Sequence, residues 1–62
     1  MKKPTVKLIG QDGNVFNIVG LVYRALQKVG QKKEAEEFKF RAFNSKSYNE
    51  VLTLLEDYVK VK

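Results

Sequence analysis

The sequence predicts an α+β fold of order β-α-α-α-β, a three-helix body with a short two-stranded sheet made by the N- and C-terminal segments. Two observations carry this. Both ends of the 62-residue chain are β-rich and alternating, Thr5-Val6-Lys7-Leu8-Ile9 and Tyr58-Val59-Lys60-Val61-Lys62. Between them, helix start and stop signals divide the chain into three stretches of helical periodicity. There is no repeat, low-complexity tract or linker, so residues 1–62 are read as one domain.

In the first strand Val6 and Leu8 share one face and Thr5 and Lys7 the other, with Pro4 suiting a strand start. Gly10-Gln11-Asp12-Gly13-Asn14 is a turn, because Gly tolerates positive φ and Asp and Asn bond nearby backbone. Asn14 or Asp12 then caps a first helix over Val15 to Val29, closed by Gly30 as its C′ residue. Val15, Ile18, Val19, Val22, Leu26 and Val29 form its apolar stripe. Phe16, Leu21, Tyr23 and Ala25 add apolar surface on the flanks, marking a central helix. Gly20 inside it costs about 1 kcal/mol relative to Ala and is expected to let another element approach closely.

A second helix runs from Gln31 to Phe43. Glu34, Glu36 and Glu37 lie near its positive end, and Glu37 and Arg41 stand at i,i+4. Ala35, Phe38 and Ala42 share one face; Glu36, Phe40 and Phe43 form another. Ser47-Tyr48-Asn49-Glu50 matches the S-x-x-E capping box of a third helix, whose core face is expected to hold Tyr48, Val51, Leu52, Leu55 and Tyr58. If each helix reverses the chain, the two terminal strands would pair in parallel, with Val6, Leu8, Val59 and Val61 inward. Pairing with a strand of a second protomer is the alternative.

The run from Val6 to Gly20 resembles the start of a family of small uncharacterised bacterial and phage proteins with the pattern V-x-L-x-G-x-D-G-N-x-F-x-I-x-G. Those chains continue into an apolar helix with an A-L pair, here Ala25-Leu26, and end in an aromatic-valine tail, here Tyr58-Val59-Lys60-Val61. Val15 departs from the small residue expected at its place. The resemblance implies this fold and carries no activity.

Composition excludes more than it assigns. The chain has no cysteine and no histidine, which removes disulfides, thiolate metal sites and the commonest zinc ligand and general base. No catalytic, cofactor-binding or metal-ligating set is expected. Asp12, the one carboxylate in the glycine-rich turn, reads as a turn-former. That turn also lacks the spacing of a phosphate loop, so no small-molecule ligand is expected. No stretch suits a signal peptide or a bilayer span, so a soluble, cytoplasmic protein is the expectation.

The formal charge is +5, and between Leu8 and Val59 seven basic residues balance seven acidic ones. The excess lies in Lys2, Lys3, Lys7, Lys60 and Lys62, which paired strands would gather into one basic patch. Two readings of function follow. The first is a non-enzymatic protein-interaction module, self-associating as a homodimer or binding another protein through Phe16, Leu21, Tyr23, Phe40 and Phe43. The alternative is a small nucleic-acid-binding accessory protein that contacts phosphates with the terminal lysines, although lysines on edge strands also serve to block aggregation. A helix-turn-helix reading of the second and third helices is disfavoured by the acidic Glu50, Glu56 and Asp57.

Overall fold

The computed structural model describes residues 3–7 and 14–61. Their order is β1 (Thr5–Val6), α1 (Val15–Lys28), α2 (Lys32–Phe43), α3 (Tyr48–Leu55) and β2 (Lys60–Val61). The strands pair in parallel, Thr5 opposite Lys60 and Val6 opposite Val61, and the Lys60 N–H donates to the Pro4 carbonyl at 2.9 Å. Leu8, Ile9, Asp12 and most of the Gly10–Asn14 turn lie outside the described residues.

Each helix boundary has a local cause. The Asn14 side chain accepts from the Phe16 N–H at 2.9 Å, satisfying one orphan donor of α1. At the other end Gly30 takes φ +83°. Its N–H donates to the Gln27 carbonyl at 3.0 Å, and that of Gln31 donates to Leu26 at 2.9 Å. Those two bonds define a Schellman closure. It ends α1 one residue earlier than the periodicity implies, so Val29 leaves the apolar stripe and is exposed.

The last carbonyls of α2 are taken by side chains. Asn44 Nδ2 donates to Phe40 O at 2.8 Å and Ser45 Oγ to Arg41 O at 3.0 Å. Ser47 Oγ accepts from the Glu50 N–H at 3.1 Å, while the Glu50 carboxylate reaches back to the N–H of Lys46, also at 3.1 Å. The capping box is therefore present, with its returning bond one residue earlier than the usual pattern.

One core joins all the elements. It comprises Ile18, Val19, Val22 and Leu26 of α1, Ala35, Phe38 and Ala42 of α2, and Val51, Leu54 and Leu55 of α3, with Val6, Tyr58 and Val59 from the terminal segments. No polar or charged residue among those described is buried apart from the tyrosine hydroxyl end. The Tyr58 ring meets the fully buried Phe38 edge-on, centroids 5.5 Å apart. Its hydroxyl donates to Glu37 at 2.5 Å and accepts from Arg41 Nη1 at 2.9 Å. Glu37 and Arg41, spaced for a direct pair, thus meet through Tyr58.

Three further expectations are corrected. Tyr48 is not in the core: α3 buries Val51, Leu54 and Leu55 at i, i+3 and i+4, and Tyr48 stands at the helix's first turn, exposed. Val61 is exposed as well, because β2 is in contact with β1 alone whereas α1 packs on β1. Gly20 does not mark a close approach, since a methyl placed there meets nothing within 4 Å among the described residues.

The two glycines should therefore respond in opposite directions. Gly20→Ala is expected to stabilise the fold by about 0.5–1 kcal/mol through helix propensity. Gly30→Ala is expected to cost about 1–2 kcal/mol, because an L-residue is strained at that φ. Urea unfolding of the two variants checks both signs.

Candidate interaction surface

Because α2 turns Ala35, Phe38 and Ala42 inward, Phe40 and Phe43 must project elsewhere. Phe40 is 70% exposed and Phe43 58%. At the start of α1, Phe16 is 67% exposed, its ring 6.0 Å from that of Phe43. Tyr48, 41% exposed, joins these two rings around a cleft of about 300 Å3 floored by Val15, Ala42 and Val51 and edged by Ser45, Lys46 and Ser47. A wider, open groove of about 610 Å3, lined by Phe40, runs between α2 and α3. Its lining is more polar, with Arg41, Asn44, Asn49, Glu50 and Asp57 beside Thr53 and Leu54. Ser45 lines both depressions, and Phe40 lines the wider one.

Of the aromatic and aliphatic residues singled out from the sequence, Phe16, Phe40 and Phe43 are on this surface. Leu21 and Tyr23 are half-buried and pack against the core. Tyr23 is further engaged by its neighbours: its hydroxyl donates to the Glu36 carboxylate and accepts from Gln27 Nε2 at 3.0 Å. Lys39 Nζ sits 4.8 Å from its ring centroid and 3.4 Å from Glu36. Tyr48 is the surface aromatic that periodicity misassigned. Its place at a helix start, one residue after a cap, was the available signal that the core might not extend to it.

The terminal lysines are only partly gathered. Lys2 and Lys62 lie outside the described residues. Lys3 donates from Nζ to the Glu56 carbonyl at 3.0 Å, a cation placed at the negative end of α3. Lys7 and Lys60 are exposed.

The hydroxyl networks shift the titration of the groups they join. Burial and the bond to Glu37 raise the Tyr58 pKa, and the bond to Glu36 raises that of Tyr23. Both therefore hold their protons at neutral pH. The Tyr23 hydroxyl in turn lowers the Glu36 pKa, and the Tyr58 hydroxyl raises that of Arg41. Among the described residues no group of three acidic, His or Cys side chains could hold a metal ion, and no helix is long and apolar enough to cross a membrane.

No protein-family model, curated protein or solved structure matches this chain.

The tyrosine environments predict a pH effect. A folded-state pKa above the unfolded value of about 10 gives stability that is present below that pH and lost as pH rises through the folded pKa. Absorbance at 295 nm should show Tyr23 and Tyr58 ionising above about 10, with Glu36→Gln bringing Tyr23 downward. The urea midpoint should fall over the same range. Ionisation of both at the ordinary tyrosine value would contradict the assigned hydrogen bonds.

Proposed function

We propose that this chain is a non-enzymatic binding module that docks another protein chain on the surface formed by Phe16, Phe40, Phe43 and Tyr48. The observation that carries the reading is the fate of the aromatics: four of the chain's seven are exposed, and they gather about the outward and C-terminal part of α2. An aromatic side chain has roughly 200 Å2 to bury, so these four expose on the order of 500 Å2. That is too little for a whole interface, which takes about 800 Å2 per partner, but it suits the apolar centre of one. Aromatic anchors within a polar rim are also where binding energy concentrates.

A second reading, phosphate contact by Lys7 and Lys60, is supported by their exposure on the paired strands. It is the weaker of the two. The bond from Lys3 to Glu56 occupies one of the lysines it would use, and no aromatic side chain lies on the strands to stack on bases.

The test compares the wild-type chain with Phe16→Ser/Phe40→Ser/Phe43→Ser. Proteins retained from native cells by the immobilised chain are identified, purified and titrated calorimetrically. The reading predicts a partner whose affinity falls by at least about tenfold on the triple substitution. Equal binding by the two chains would contradict it. So would a nucleic-acid ligand whose affinity drops steeply with salt and is lost in Lys7→Ala/Lys60→Ala.

A further inference from the structure

The cleft between α1, α2 and α3 specifies more than an apolar contact. Three half-open rings, Phe16, Phe43 and Tyr48, stand around an aliphatic floor. Such a site is shaped to receive an apolar side chain. The charged residue at its edge is Lys46, and no carboxylate is among the described residues that line it.

Lys46 differs from its cationic neighbours on α2. Lys39 is held by Glu36 and the Tyr23 ring, and Arg41 by the Tyr58 hydroxyl. The nearest acidic group in sequence, Glu50, is bonded to the Lys46 backbone N–H and faces the other groove. Among the described residues the Lys46 ammonium has no ion-pair partner. The wider groove carries both signs, with Arg41 beside Glu50 and Asp57. An anionic group is therefore favoured at the edge of the cleft, where Lys46 is the one charged side chain among the described lining residues.

Resting on the binding reading above, we infer that the partner is an acidic peptide segment that inserts a leucine or aromatic side chain between Phe16, Phe43 and Tyr48 and sets a carboxylate on Lys46. A nucleic-acid strand fits less well. A single lysine at the edge offers little phosphate neutralisation, and the tilt of 43° between Phe16 and Phe43 does not make a stacking platform.

A random dodecapeptide library displayed on phage, selected against the full chain, tests this. Enriched peptides are synthesised and titrated by fluorescence anisotropy against the wild type, Phe43→Ala and Lys46→Glu, with thermal melts confirming that both variants fold. The expected outcome is net-negative peptides carrying Leu, Phe or Trp. Their affinity should fall about tenfold or more on Phe43→Ala, about threefold or more on Lys46→Glu, and with added salt. Neutral or basic peptides that need Phe43 but ignore Lys46→Glu would overturn the acidic assignment while leaving the aromatic surface as a docking site. Failure to enrich any peptide, or peptides indifferent to Phe43→Ala, would overturn both. Concentration-dependent dimers abolished by Phe43→Ala in sedimentation would overturn the inference in favour of a second copy.

Discussion

The structure depends on Phe38. An α-helix of a small domain has one face to give to the core, and in α2 that face is Ala35, Phe38 and Ala42, with Phe38 fully buried between two alanines. Small neighbours let the other elements close around the ring. Tyr58 meets it edge-on and is fixed by Glu37 and Arg41, which lie one residue before and three after Phe38 on the same helix. The chain then continues directly through buried Val59 to Lys60, whose N–H reaches Pro4. The position of the parallel pair thus follows from the way one side chain of α2 is held.

The same geometry decides what is left outside. With 3.6 residues per turn, a helix that points residues 35, 38 and 42 inward must point residue 40 away, and it carries residue 43 to its flank. Phe40 and Phe43 are therefore on the surface by construction. Their presence there needs a reason other than folding, since polar residues at the same positions would suit solvent and helix equally. Phe16 and Tyr48 reach the same region from the first turns of two other helices. A binding role accounts for the shared location of all four. The intramolecular networks of Tyr23 and Tyr58 are a contrast, for there aromatic residues at the core's margin have every polar contact met by the chain itself.

Much of the fold was legible in the sequence because its signals are local. Asn14, Gly30 and Ser47 act within one helical turn of where they sit, and five elements of alternating direction bring the two strands out parallel. What was not legible depends on neighbours far away in sequence. Tyr48 has the spacing of a core residue, but no described element covers the end of the bundle where α3 begins; Leu54 has to be seen packed to be recognised as core. Leu21 and Tyr23 read like surface because periodicity does not reveal how much of α1 its neighbours enclose. Gly20 suggested contact, yet the space beside it is open among the described residues. The candidate surface was half visible: Phe16, Phe40 and Phe43 stood out, while the cleft that joins Phe16 and Phe43 to Tyr48 and Lys46 exists only once three helix ends are brought together.

The division of α2 into a folding face and an exposed aromatic face is most directly tested by urea unfolding of Phe38→Ala beside Phe40→Ser. The residues are two apart on one helix. Phe38→Ala should cost about 3–5 kcal/mol, most of the stability of so small a domain. Phe40→Ser should change stability by no more than about 0.5 kcal/mol. Losses of similar size at the two positions would mean that Phe40 is part of the core, and the account of this surface would not stand.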